Sequence, residues 1–400
     1  MWRPNPDISY IGRTTFRREF KPFGIRQADR LSHMYIIGKT GVGKSSLIGN
    51  LTRQDLAAGR GFALLDPHGD LVEDLWAGMP DELRERVVYL NAPDPAQPYG
   101  YNPLRRVRAD KIPLAASGLL ETLKKQWPDA WGVRMEHVLR NCLFALLERE
   151  GSTLPDILRL FDDEDFRAGV VRRVGNPVVR HFWELEFENY PPRLRADAIA
   201  PIQNKLGALL SDPTLYRILV TPSVDLHLRA LMDVGGALLV NLAKGRLGEE
   251  SSALLGGLLV STLGLAGLSR AEAPASERRP FFVYADEFQT FTTLSFVSMM
   301  SELRKYGVGL TLAHQHLDQL DLENRSAVLG NAGSLIAFRL GVQDAFCLQP
   351  EFESSLGVHD LTTVPNWRMC IKLMVEGTPS QPFTAEVLPR RASHAPRVYL

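Results

Sequence analysis

Short apolar runs recur along the chain, each closed by glycine or a polar residue: HMYIIG at 33–38, GFALLD at 61–66 and RVVYLN at 86–91. The pattern then lapses, and returns at GGALLVNL (235–242), PFFVYAD (280–286), GVGLTLAH (307–314), GSLIAFRL (333–340) and RMCIKLMV (368–375). Runs this short, apolar throughout and separated by helical spacing, predict parallel strands covered on both faces by helices. The strand-poor middle predicts helices. In WGVRMEHVLRNCLFALLERE, Trp131, Met135, Val138, Leu139, Cys142, Leu143, Leu146 and Leu147 share one face at three- and four-residue spacing. RLRADAIAPIQNKLGALLSDP repeats a helical pattern, with a break or kink expected at Pro201. SSALLGGLLVSTLGLAGL at 251–268 is apolar all round and about as long as a bilayer is thick. Charges flank it closely, so it is predicted as a buried helix behind a central strand.

Composition narrows the classes. A chain of 400 residues has room for two or three domains. The formal net charge is zero, so no global field draws in nucleic acid. Such contact would rest on local basic stretches, FRREFKPFGIRQADR (16–30) and PLRRVRADK (103–111), or on a ring with a basic pore. Solvated surface charge is the competing reading of both stretches. Cys142, Cys347 and Cys370 lie far apart, which fits a reducing cytoplasm and argues against disulfides or a zinc site. The first thirty residues hold no apolar run and read as neither a secretory signal nor a membrane anchor.

The chemistry starts at IIGKTGVGKSSLIGN (36–50). Gly38, Lys39, Thr40, Gly41, Val42, Gly43, Lys44 and Ser45 fit G-x-x-x-x-G-K-[ST], with a strand before and a helix after, and Ser46 follows in the first helical turn. Glycines let successive N–H groups turn inward on phosphates, and the helix start adds its positive end. Lys44 would reach the β and γ oxygens of ATP, and Ser45 would ligate Mg2+. FFVYADEFQTF supplies the second carboxylate strand. Asp286 would order the magnesium shell, and Glu287 would polarise the attacking water. The acidic doublet marks the additional-strand class of P-loop ATPases. Gln315, in LAHQHLDQL, sits at a strand's carboxyl end, where an amide can bond both the γ-phosphate and the water. His314 and His316 flank it and lack a third metal ligand. Arg304, in SMMSELRKYG, reads two ways: favourable charge at a helix C-terminus, or a finger completing a neighbouring subunit's site. Arg339 and Arg246 are weaker candidates for that task. Asp66, in LLDPHGDL, is either part of the active centre or lies in a simple turn whose backbone is set by proline and glycine.

These stretches, with PIQNKLGALLSDP, LLVNLAKGRLGE and NAGSLIAFRLGVQDA, occur in an order that resembles the HerA–FtsK superfamily of ring-forming DNA-pumping ATPases. Within it the chain looks most like the cytoplasmic part of type IV secretion and conjugation coupling proteins, over about residues 30 to 385. The expected fold is α/β: a RecA-like P-loop NTPase core with a mostly parallel sheet, interrupted by an all-α inserted domain. The expected divisions are an N-terminal arm at 1–30, the ATPase core at 31–104 and 226–388, the helical insertion at 105–225 and a C-terminal tail at 389–400. The resemblance implies a homo-hexamer with ATP and Mg2+ between subunits, DNA in the pore, and a helical domain that receives a relaxosome or effector cargo. Lys44 and Ser45 match its Walker A pair, Asp286 and Glu287 its Walker B pair, Gln315 its polar sensor, and Arg304 its trans-acting arginine. Coupling proteins usually begin with transmembrane helices, which this sequence lacks before Gly38. That departure implies a cytoplasmic variant held at the inner membrane by a separate partner. A HerA-like translocase or helicase in DNA processing or defence, and a nucleotide-gated cargo adaptor, stay open as alternatives.

Overall fold

Among the described residues, eleven strands join in one sheet. In chain order they are β1 (Ile8–Thr14), β2 (Pro22–Arg26), β3 (Met34–Ile37), β4 (Gly61–Asp66), β5 (Val87–Asn91), β6 (Ala237–Asn241), β7 (Phe281–Ala285), β8 (Val308–His314), β9 (Ser334–Ala337), β10 (Arg368–Lys372) and β11 (Phe383–Val387). The structure, a computed structural model, describes residues 5–15 and 20–389. Across the sheet the order is β2-β1-β11-β10-β9-β3-β8-β7-β4-β6-β5. The seven strands from β9 to β5 run parallel. The other four continue the sheet antiparallel.

The strand period of two sorts the core into layers. Met34 and Ile36 of β3 join one cluster with Leu47, Ile48 and Leu51 of helix α1 (Lys44–Ala57). Tyr35 and Ile37 face the other cluster. Between β5 and β6 the chain forms α2 (Ile112–Gln126), α3 (Val133–Leu147), α4 (Pro192–Ser211) and several shorter helices. Its entry and exit are tied together by a short parallel pairing of Tyr99–Gly100 with Val224–Asp225. α5 (Glu249–Ser269), α6 (Leu294–Leu303) and α7 (Leu322–Asn331) follow.

The inserted helices do not form an isolated core. One apolar cluster runs from Tyr35 and Leu65 through Leu258 to Trp183. α2 and α5 approach closely because small residues meet there: a Cβ on Gly118 would stand 2.3 Å from Ser261 Oγ. α5 with its following turn, Glu249–Glu272, is long and apolar enough to cross a membrane, but 83% of its most apolar stretch is buried. It is the buried helix read from the sequence.

Two expectations are corrected. The segment set apart as an arm, 1–30, contributes β1 and β2 to the main sheet, with Ile11 and Ile25 in the core. Their mixed polar pattern hid them. α4 runs unbroken through Pro201, so the proline does not end it. The expected tail lies, beyond residue 389, outside the described residues, as do positions 16–19 of the first basic stretch.

Candidate active site

The carboxyl ends of β3, β7, β8 and β9 converge on the glycine-rich loop. Its root is fixed by Gly38 N–H donating to His314 O at 3.3 Å and Lys39 N–H donating to Arg339 O at 3.0 Å. Gly41 and Gly43 take φ of 74° and 125°, a region open to glycine at no steric cost. The N–H groups of Thr40, Gly41, Val42 and Gly43 donate to no acceptor among the described residues. α1 then begins at Lys44, so its free N-terminal donors add to this concave set. An anion fits such a nest.

Lys44 folds back over the loop, its Nζ donating to Gly38 O at 2.6 Å and Lys39 O at 3.1 Å. Burial lowers its pKa, opposed by the charges of Asp286 and Glu287. Ser45 Oγ donates to Asp286 Oδ2 at 2.9 Å, and Ser46 is half-buried in the same helical turn. Burial pushes the Asp286 carboxyl up to about 6; the Ser45 bond opposes this, and Asp66 and Glu287 add to it. A buried carboxylate beside a hydroxyl is a hard-oxygen donor set that suits Mg2+.

Glu287 is buried with φ 46° and ψ 47°, a left-handed conformation uncommon for a residue with a Cβ. Both carboxylate oxygens are held. Oε1 accepts from Gln315 Nε2 at 2.8 Å, and Oε2 accepts from Gln289 Nε2 at 2.8 Å. Gln315 Oε1 in turn accepts from Thr40 Oγ1 at 2.7 Å. The amide therefore bridges the phosphate loop and the acidic strand end. Gln319 Oε1 fixes the turn beneath it by accepting from the N–H groups of Gln315 and His316 at 3.2 and 3.0 Å.

His314 is buried, its Nε2 bonded to the Tyr35 hydroxyl. Burial, with Lys44 and His316 adding, lowers its pKa to about 3, so it stays neutral. His316 turns away to Asp344 at 3.3 Å. Among the described residues no group of three His, Cys, Asp or Glu side chains is arranged to hold a metal ion. Asp66 is a turn ligand: it accepts from the N–H groups of His68, Leu71 and Val72 at 2.9, 2.9 and 3.2 Å.

Lys44, Ser45, Asp286, Glu287 and Gln315 thus share one site. Arg304 does not join it. It precedes β8, lies near His33 at the amino end of β3, and is separated from Gln315 by the length of β8, roughly 20 Å. Arg339 borders the loop through its carbonyl, and Arg246 lies 3.6 Å from Glu73. Among the described residues of the two basic stretches, several cations are paired. Arg30 is buried, paired with Asp55 at 2.8 Å and stacked over Phe282 at 3.5 Å. Arg105, Arg108 and Lys111 pair with acidic neighbours. The sequence did not single out the Thr40 hydroxyl, Gln289 or Gln319, nor Trp367, whose N–H donates to Val42 O at 2.7 Å while its side chain stays 57% exposed. All are separated in sequence from their partners or lie in loops without a spacing rule. Only the proximity of Gln289 and Gln319 to the acidic doublet and to Gln315 hinted at them.

Set beside known proteins, the sequence profile of the family described as helicase HerA, central domain, matches residues 10–257. No curated protein matches the sequence. Among solved structures, the unbound bacterial conjugative coupling protein TrwBdeltaN70 is similar at TM-score 0.67 and 15% identity, over 93% of this chain and 89% of that one. Plasmid coupling protein TrwB in complex with a non-hydrolysable ATP analogue follows at TM-score 0.66 and 16% identity, over 92% and 88%. VirB4 of Thermoanaerobacter pseudethanolicus is similar at TM-score 0.64 and 14% identity, over 97% and 98%. At these identities the likeness is one of fold: a P-loop NTPase core with a large, mostly parallel sheet.

Proposed function

This chain belongs to the family of the HerA helicase central domain, and from that premise we propose an ATP-driven DNA translocase that resembles a conjugative coupling protein. It would act in the cytoplasm as a homo-hexamer, pass DNA through its pore, receive a relaxosome or effector on the helical insertion, and deliver DNA or nucleoprotein to a type IV secretion channel through a membrane partner. TrwB, whose fold it shares, has been solved with an ATP analogue and with ADP and Mg2+. The observation that carries the reading is the chain of bonds from Thr40 through Gln315 to Glu287, which would link a phosphate loop to the carboxylate proposed for hydrolysis.

The N–H groups of Thr40 to Gly43, with the start of α1, would hold the phosphates. Lys44 would exchange the carbonyls of Gly38 and Lys39 for phosphate oxygens. Ser45 and Asp286 would hold Mg2+, which neutralises phosphate charge when bound. Glu287 would take the proton of the attacking water, and Gln315 would orient that water and report nucleotide state to its loop. Arg304, remote from its own loop, would act on the neighbouring subunit, where its fork stabilises transition-state charge.

The pairing of Arg105 and Arg108 favours one second reading, a nucleotide-gated cargo adaptor that contacts no DNA. ATP turnover by the purified protein tests the site itself. Lys44→Ala is expected to abolish nucleotide binding or turnover in a protein that still unfolds cooperatively. Full turnover in that variant would refute the assignment.

A further inference from the structure

The loop that follows Glu287 is held from the helical insertion. Lys125, in the last turn of α2, places its Nζ 2.5 Å from Gln289 O and 2.8 Å from Thr292 O, donating to both. Among the described residues no backbone N–H reaches either carbonyl. The loop is otherwise pinned by Phe288 and Phe291, both buried, with Phe291 seated on Gly256 of α5: a Cβ there would stand 2.2 Å from its ring. The end of α2 is itself fixed to the start of α5, where Trp127 Nε1 donates to Glu250 at 2.8 Å.

Lys125 lines a cleft of about 430 Å³ between α2, this loop and the turn after Gln315. The nearby acid of α3, Glu136, is occupied by Arg140 at 2.8 Å and Lys124 at 3.6 Å. Asp321, at the start of α7, and Glu121, one turn back on α2, also line the cleft. The carbonyls, rather than a carboxylate, are thus what the ammonium meets. Lost hydration lowers its pKa to about 8, with Asp321 opposing. A charge placed this way, where exposed lysines usually point to water, has a task.

That task follows from the next bond. Gln289, whose carbonyl Lys125 holds, donates to Glu287 Oε2, and Glu287 sits in a strained left-handed conformation that persists only when its surroundings fix it. We propose that Lys125 is a positioning residue for Glu287, so that the helical insertion sets the geometry of the hydrolytic carboxylate through the 288–293 loop. This rests on the reading of Glu287 as the base for water. A partner that shifts α2 would release the two carbonyls, free Gln289 and slow hydrolysis without disturbing the phosphate loop, which shares no bond with Lys125.

Two measurements on the intact protein test this, comparing wild type with Lys125→Met and Lys125→Arg. In steady-state ATP hydrolysis, Lys125→Met is expected to lower kcat about tenfold while KM for ATP stays within about twofold. Lys125→Arg, which keeps a donor fork, is expected to recover most of the loss. Amide hydrogen exchange of residues 288–293 without nucleotide is expected to speed up in Lys125→Met and return toward wild type in Lys125→Arg. Unchanged exchange and unchanged kcat in Lys125→Met would overturn the proposal, as would an equal rise in KM. If wild type hydrolyses no ATP, the ATPase reading fails, and the exchange measurement still decides whether Lys125 holds the loop.

Discussion

Glu287 is the residue on which the proposed chemistry turns, and its surroundings hold it in place. Each of its two oxygens accepts one amide hydrogen bond, from Gln315 and from Gln289, which fixes the carboxylate and leaves each oxygen a lone pair free for water. Glu287→Gln should therefore bind ATP as well as the parent while losing roughly a hundredfold or more in turnover, measured by nucleotide titration beside single-turnover hydrolysis. Asp66 gives the opposite case. Its bonds to three backbone N–H groups are structural, so Asp66→Ala should cost roughly 2–3 kcal/mol in denaturant unfolding, with ATP affinity changed little in the folded fraction. Residue types at fixed spacing made Lys44, Ser45, Asp286 and Glu287 readable from the sequence, because phosphate and magnesium demand those groups on a loop and a strand end. Asp66 was not decidable that way, since an acid at a strand end serves a turn or a metal equally well.

Between elements, His33 acts as a staple. Its Nε2–H donates to Met300 O in α6 at 2.8 Å, and its Nδ1 accepts from Leu310 N–H in β8 at 3.1 Å, which fixes the neutral tautomer. Burial lowers its pKa to about 4, and Arg304 adds to this. The unfolded chain binds a proton near 6.5 and the folded one only near 4, so unfolding takes up protons as pH falls through that window. The His33 contribution should be full above about pH 6.5 and fall by roughly 2 kcal/mol by pH 5, so His33→Gln should shift the wild-type pH dependence by about that amount in urea unfolding at several pH values. The eight strands read from apolar runs are all present, because strands buried on both faces carry uninterrupted apolar sequence. β1, β2 and β11 escaped that reading. They lie toward one edge of the sheet, and sequences such as ISYIGRT and FTAEV mix polar positions into the run.

In the molecule as a whole, the insertion and the sheet share one apolar cluster, so the helical part is coupled to the catalytic layer rather than tethered to it. Arg304 stands at the amino end of the central strands, away from its own phosphate loop, so the proposed finger requires a second copy. Arg304→Ala should lose turnover and keep nucleotide affinity, and mixing it with Glu287→Gln protein should restore some activity at mixed interfaces; no recovery after subunit exchange would speak against a finger in trans. The central claim is that hydrolysis moves DNA. It is met most directly by the ATP turnover rate of the assembled protein with and without single- and double-stranded DNA. A severalfold or greater stimulation by one of them, absent in Glu287→Gln, is the expected result. A rate indifferent to every DNA added would contradict a motor and leave the cargo adaptor.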